Sequence, residues 1–341
     1  MGNLSKSSFE QLIDYIHKQL LVLILHTNKK SLAIGLSGGV DSVLLLHILH
    51  KIKTKFMPNL NIIAIHINHN ISPNAKLWEK FCVDICHELG IPIDTYQLNI
   101  KRGGGESIEN IARNSRYDIF SKYIDDCIVV LAHHNDDQVE TVISQILRGS
   151  DIHNIAGMKE FSIKSNMYLY RPLLQINKQN IEAYASFYNI SHIVDESNTD
   201  EKFLRNFVRH KVIPMLYQYD KHILTKINNL SVSLQNTCEL LDDVAKSDLE
   251  SICCSNNKNV LILSKLTNLS NLRQINVMNY YIKQNGLLFI SKHQVREFVR
   301  QINNSALSST PTLRLTDYKS LVKMKNEIKI IVAPDLNNNE L

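Results

Sequence analysis

The 341-residue chain holds six cysteines, Cys82, Cys86, Cys127, Cys238, Cys253 and Cys254, and no CxxC pair. That spacing argues against a disulfide frame or a cysteine metal site and reads as reduced thiols of a cytoplasmic protein. No apolar run reaches membrane-spanning length, and residues 20–25 fall far short. No secretory signal is visible, and Lys6 stands where myristoylation of Gly2 needs Ser or Thr. There is no internal repeat and no Gly-Lys-Ser/Thr ending of the Walker kind. What remains is a cytoplasmic enzyme of one or two domains, with enough apolar residues (44%) for a real core.

The net charge of +5 is modest but unevenly spread. Residues 1–215 carry 23 basic and 22 acidic side chains, net +1, whereas residues 258–330 carry 12 basic and three acidic, net +9. A basic block in a near-neutral chain suggests a polyanionic partner; a solvated lysine-rich face is the plain alternative.

Ser31-Leu32-Ala33-Ile34-Gly35-Leu36 followed by Ser37-Gly38-Gly39-Val40-Asp41-Ser42 reads as a buried strand, a glycine turn and the start of a helix. Such a turn brings backbone N–H groups close to an anion at a helix N-terminus, and Ser37 and Ser42 add hydroxyls. Asp41 would repel bare phosphate, so a divalent cation between carboxylate and phosphates is expected. Strands are expected at 61–69, 91–98, 127–132 and 168–174, with helices at 8–25, 74–89, 135–147, 177–188 and 202–217 and from about 107 to 125. The alternation predicts a doubly wound, parallel five-stranded α/β sheet with ligands at the strand C-terminal ends. A long helix over 221–250 reads as a spacer. The remainder reads as a smaller, mostly helical region ending in strands at 312–315 and 327–332, with a disordered Asn-rich tail at 337–339. The expected domains are thus 1–217, a linker over 218–257, and 258–341.

The chemistry-bearing residues fall just after predicted strands. His66 and His69 end the second. His133-His134-Asn135-Asp136-Asp137-Gln138-Val139-Glu140-Thr141 opens a helix after the fourth. Asp136 and Asp137 lie four and three residues before Glu140, so the carboxylates share a face able to hold magnesium or a cationic substrate. Arg113 and Arg116, and Arg148 after the acidic helix, are candidates to neutralise phosphate. Arg205 and Arg209 share another helix face. Lys292, Arg296 and Arg300 form a stripe of cations four apart, opposite Val295, Phe298, Val299 and Ile302.

The glycine loop resembles that of the N-type ATP pyrophosphatases. The ordered set of the loop, His66-Ile67-Asn68-His69, Gly105 to Arg113 with Arg116-Tyr117, His133 to Thr141, Arg148-Gly149-Ser150, Arg171-Pro172-Leu173-Leu174, Asp195 to Asn198 and Arg205 to Pro214 resembles the tRNA(Ile)-lysidine synthetase family. Asn70-Ile71-Ser72 departs from that family's Gly-Leu-Arg, and Asp151 from its Gly, and the chain resembles the shorter members without an extra C-terminal domain. The resemblance implies ATP-dependent ligation of free L-lysine to C2 of the wobble cytidine in the CAU anticodon of a tRNA(Ile). It implies ATP at Ser37, Gly38, Gly39, Val40, Asp41, Ser42 and His66, with Mg2+ on Asp41, and lysine at Asp136, Asp137 and Glu140. It further implies catalysis by Asp41, Arg113, His133, Asp137 and Glu140, with His133 or a carboxylate as base, and tRNA at Arg205, Arg209, Lys292, Arg296 and Arg300. No membrane partner is expected, and a homodimer stays open. A tRNA thiolase on the same fold is the rival, and a nucleotide-regulated RNA-binding protein is another; the first would need cysteines that CxxC pairs usually supply.

Overall fold

The computed structural model describes residues 6–70, 72–98, 108–193, 204–254, 257–286, 291–306 and 308–332. They form two compact units, residues 1–150 with 154–232, and residues 151–153 with 233–341. The division falls inside a long helix, Ile223–Ile252. The glycine-rich stretch at 103–105, the Asp195–Asn198 motif and the Asn-rich tail lie outside the described residues.

The larger unit is built on six strands: β1 (Ser31–Gly35), β2 (Asn61–Asn68), β3 (Ile93–Gln97), β4 (Cys127–Val130), β5 (Phe161–Lys164) and β6 (Met167–Tyr170). Their order is β3-β2-β1-β4-β6-β5. All neighbours pair in parallel except β5, which is antiparallel to β6. The sheet thus has one strand more than the five expected, because a hairpin adds β5. Its turn residues Ser165 and Asn166 both have positive φ, 48° and 64°, the geometry that matches strand twist in a two-residue loop. Neither is glycine, which is why the turn was not legible.

Helices α1 (Lys6–Thr27), α2 (Val40–Lys55), α3 (Ala75–Glu88), α4 (Ile108–Phe120), α5 (Asn135–Leu147), α6 (Ile152–Ile155) and α7 (Lys178–Phe187) follow in turn. On β1, Leu32 and Ile34 point into one core with Ile13, Ile16, Leu44 and Leu45, and Ala33 points into the other with Ile65, Phe120 and Val129, as strand alternation requires. A sheet covered on both faces explains the continuous apolar runs of β1 and β4. The chain leaves β1 toward β2 on one side, while β4 pairs with its other side. That topological switch opens a crevice at the carboxyl ends of β1 and β4.

The helix expected over 202–217 is broken into three: α8 (Leu204–Phe207), a π-helical turn (Val208–Val212) and α9 (Ile213–Tyr219). Val208, Leu204, Val212 and Ile213 pack on Val139 and Ile143 of α5. Helix α10 (Ile223–Ile252) comes next.

The smaller unit is mostly helical, as expected, with α11 (Leu263–Thr267), α12 (Asn271–Gln284) and α13 (Lys292–Asn304). It also holds an antiparallel sheet of β7 (Cys253–Cys254), β8 (Asn257–Ile262), β11 (Glu327–Val332), β10 (Lys319–Met324) and β9 (Thr312–Arg314), in that spatial order. Val295, Phe298, Val299 and Ile302 are buried in its core, and Arg296 and Arg300 are exposed. The side chain of Lys292 lies outside the described ones. Arg300 is not a free cation: its Nε and Nη2 donate to Glu297 at 2.8 and 2.7 Å. The basic surplus is also smaller than the window over 258–330 suggested. Arg273 pairs with Asp248, and Lys283 with Asp242 at 2.9 Å, both carboxylates on α10. Counted from Ser233, the unit's 13 basic and ten acidic side chains give net +3. No helix among the described residues is long and apolar enough to cross a membrane.

Candidate active site

A cavity of about 370 Å3 opens at the crevice, lined by the loop after β1, the end of β2, and His133 after β4. Gly38 has φ of +87°, and a Cβ there would sit 2.6 Å from Ile193 Cδ1; the backbone N–H of Ile193 donates to Gly38 O at 2.9 Å. The backbone conformation therefore requires glycine, and a side chain there would also push Ile193 aside. At Gly39 a Cβ would meet only Ser37 Oγ, at 3.5 Å. Gly39 is the N-cap of α2 and offers no side-chain acceptor to the first-turn N–H groups, which leaves them to an anion. Ser42 Oγ holds the turn closed, donating to Gly39 O at 3.0 Å and lying 3.1 Å from Ser37 Oγ. Val40 is buried beneath.

His66 is buried, with Nδ1 2.9 Å from Leu36 O. A carbonyl only accepts, so Nδ1 carries a proton and Nε2 is the ring nitrogen left for a ligand. Asn70 has φ of +53°. This is the left-handed conformation, which asparagine tolerates, at the position where the resembled motif has glycine. Nδ1 atoms of His69 and His133 are buried with no partner, and both residues line the cavity. Buried polar atoms without partners beside an anion cradle fit a polar ligand such as a nucleotide phosphate. Desolvation and the nearby charge of Arg116 push His69 down to about 4. Desolvation also pushes His133 down, to about 3, with Arg171, Arg205 and Arg116 adding to it against Asp137.

Asp41 faces Lys178, at the start of α7, with Nζ 2.7 and 2.8 Å from its two oxygens. Lys178 N donates to Asp136 Oδ1 at 3.1 Å. Sequence reasoning missed Lys178. The one signal was a lysine in a helix's first turn, where the helix dipole disfavours a cation. His134 lies among the acids, with Nε2 3.7 Å from Asp41 and 3.5 Å from Asp137. Asp137 Oδ2 accepts from His134 N at 3.0 Å and so caps α5. Burial would raise its carboxyl, but His134, Arg205, His133 and that hydrogen bond together hold it down at about 2.

The acidic face and the arginine face meet each other. Arg205 donates from Nε to Glu140 and from Nη2 to Asp137, both at 2.7 Å. Arg209 donates to both oxygens of the almost fully buried Glu140, at 2.5 and 2.9 Å. The π-helical turn begins between these two arginines; such turns re-aim side chains and recur at functional sites. Arg116 and Arg113 are both exposed on α4; Arg116 lines the cavity, and Arg113 lies 5.9 Å from the Tyr117 ring. Arg148 is not brought to the crevice. It caps the C-terminal end of α5, roughly 20 Å along the helix from its first residue at 1.5 Å per residue. Gln138 is structural, with Nε2 donating to Met158 O and Ser231 Oγ at 2.8 and 2.7 Å.

The family model for the PP-loop domain, an ATP-binding type, matches residues 9–216. The chain belongs to the PP-loop domain family. This PP-loop chain is 37% identical over 276 residues to the tRNA(Ile)-lysidine synthase of Nitrosomonas europaea, covering 80% of itself and 59% of that protein. It is 31% identical over 291 residues to that of Actinobacillus pleuropneumoniae serotype 3, covering 85% of itself and 67% of that protein. The chain spans about six-tenths of the length of the curated relatives it matches first. Among solved structures, a U34-tRNA thiolase from Methanococcus maripaludis superposes with a TM-score of 0.52 at 18% identity, over 60% of this chain and 71% of that one. That likeness extends to the fold alone.

Proposed function

We propose that this PP-loop chain is a tRNA(Ile)-lysidine synthase, ligating free lysine to C2 of the wobble cytidine in a CAU anticodon. The observation that carries the reading is identity of 31–37% to lysidine synthases across both units, joined to a site that pairs an anion cradle with a carboxylate-rich face. In this reading the cytidine O2 attacks the α-phosphate of ATP and pyrophosphate leaves. The ε-amine of lysine then attacks C2 and expels AMP. The larger unit carries the chemistry. Residues 258–341, with 218–257 as a helical connection, grip the tRNA.

The loop N–H groups and Ser37 hold phosphate, and Asp41 would hold magnesium, which supplies charge neutralisation for the departing pyrophosphate. Around the second site, Asp41, Asp136, Asp137 and Glu140 face Lys178, Arg205 and Arg209. Four carboxylates against three cations leave one negative charge, which suits the cationic side chain of lysine. Arg205 and Arg209 fix Asp137 and Glu140 in place for it. Held near 3, the free His133 imidazole is neutral at pH 7 and a poor base. A phosphate bound among Arg116 and Arg171 offsets the arginines' share of that depression, while the larger share, from burial, stays.

The thiolase alternative finds less support. Cys82 lies beside the loop, its Sγ 3.2 Å from where a Gly38 Cβ would be, but burial pushes its thiol up to about 12. Sulfur transfer needs the opposite shift. The deciding experiment incubates the chain with ATP, labelled lysine and tRNA transcripts and analyses the nucleosides by mass. Lysidine with AMP and pyrophosphate is expected; thiolated product, or ADP and orthophosphate, overturns the reading.

A further inference from the structure

Beside the cavity, four cations gather around one tyrosine. Tyr117, on α4, has Lys164 Nζ 3.6 Å from its ring centroid and Arg113 Cζ 5.9 Å from it. Arg171 lies close enough for its charge to favour the ionised form of the Tyr117 hydroxyl. Arg116, on the same helix, adds a further charge. The elements that converge are α4, the strand β5 that ends at Lys164, and the residue that follows β6. The unforeseen hairpin is what delivers Lys164: without the turn at Ser165 and Asn166, the strand carrying it would not return to the sheet.

No carboxylate among the described residues forms an ion pair with any of the four. Asp118 is close enough to be felt by Lys164 yet makes no salt bridge to it. Arg171 is 5% exposed. Its Nη1 donates to Lys159 O at 2.8 Å and Ser162 Oγ at 3.0 Å, but its Nε is buried and has no partner. Desolvation first, and the neighbouring cations after it, disfavour the charged forms of Lys164, Arg116 and Arg171. Like charges held together beside a buried donor left unsatisfied make a place where an anion from outside the protein is favoured. The surroundings match the chemistry of a phosphate oxyanion, since guanidinium and ammonium donors are its usual partners.

We infer that Arg113, Arg116, Lys164 and Arg171 form a second phosphate site, separate from the glycine loop, whose outer wall is the β5–β6 hairpin. The inference rests on the ligase reading in that two phosphate sources are then at hand, the oligophosphate of ATP and the backbone of the RNA. Arg116 reaches the cavity, and Arg113 lies exposed, so the site connects the nucleotide cavity with solvent.

The test uses Lys164→Ala and Lys164→Glu in the full chain, with Arg171→Lys as a second position and folding checked by circular dichroism. Affinities for ATP with magnesium, for pyrophosphate and for tRNA are measured, the last across a salt series. Trp78, the sole tryptophan, lines the cavity and gives a fluorescence signal for the small ligands. The expected result is a loss of about tenfold or more for at least one phosphate ligand in Lys164→Glu. If RNA is the source, the slope of log affinity against log salt also falls, by roughly 0.7–0.9 in Lys164→Ala, and pyrophosphate affinity holds. If ATP is the source, pyrophosphate and ATP weaken and the salt slope is unchanged. All three affinities within twofold of wild type would overturn the second site while leaving the ligase reading intact. Failure of the ligase reading is distinct, because it shows as wild-type protein that makes no lysidine.

Discussion

Lys178 Nζ reaches both oxygens of Asp41, at 2.7 and 2.8 Å, and so occupies the face of the carboxylate that a metal would need. Both side chains are roughly a third exposed, so the pair contributes at most ~1 kcal/mol to folding. Its meaning is electrostatic: the lysine neutralises Asp41 in the free protein and must yield when magnesium arrives. Asp41→Asn should therefore abolish turnover while changing the melting temperature by no more than about 2–4 °C. Lys178→Met should lower the magnesium concentration needed for ATP binding, read from Trp78 fluorescence across a metal titration. An unchanged midpoint in Lys178→Met would show that the two do not compete.

The acid–arginine clasp makes a different prediction. Glu140 is 3% exposed at its side chain and holds two guanidinium groups, each about a third exposed. Removing one partner of a buried pair costs about 3–5 kcal/mol, and solvent access to the arginines lowers that to about 2 here. Glu140→Gln should thus lower the melting temperature by roughly 4–8 °C and raise the lysine KM about tenfold, with ATP affinity changed far less. Thermal melting and steady-state kinetics check both halves. A normal KM together with the lowered melting temperature would make the clasp purely structural.

Acid should act on the same region. The Asp137 carboxyl is held at about 2, below the ordinary 3.8, so the stability it contributes is complete above 3.8 and fades as pH falls toward 2. His133 is held at about 3, below the ordinary 6.5. Between those values the unfolded chain binds more protons than the folded one, so stability falls as pH drops from 6.5 toward 3. Both groups therefore favour the neutral side. The free protein should lose stability steadily below pH 6.5, and His133→Asn should flatten the slope between pH 6.5 and 4. Denaturant midpoints across that range measure it, and an unchanged slope in the variant would place the acid sensitivity elsewhere.

The strand-terminal positions of the loop, His66 and His133 were legible because a parallel sheet writes apolar runs followed by polar ends. The carboxylate face of α5 was legible from 3.6-residue periodicity. The clasp was not, since pairing Glu140 with Arg205 and Arg209 depends on a π-helical turn that local sequence does not announce. Lys178 and Lys164 were not, because each meets its partner across more than 45 residues of chain. The charge of the smaller unit was misjudged for a related reason: the acids of α10 fold into it, and a window beginning at 258 leaves them out.

That recount sharpens the expectation for α13. Arg296 is exposed and has no acidic partner among the described residues, while Arg300 is paired with Glu297, whose carboxyl the arginine's hydrogen bonds hold down at about 2. A phosphate contact by Arg296 releases a counter-ion, whereas one by Arg300 only exchanges one anion for another. Arg296→Ala should then lower the slope of log tRNA affinity against log salt by roughly 0.7–0.9, and Arg300→Ala should lower it by less. ATP affinity should hold in both, because the nucleotide cavity belongs to the other unit. Binding isotherms at four or five salt concentrations separate the variants. Equal slopes for wild type and Arg296→Ala would take α13 off the RNA-binding surface and leave the larger unit to hold the tRNA.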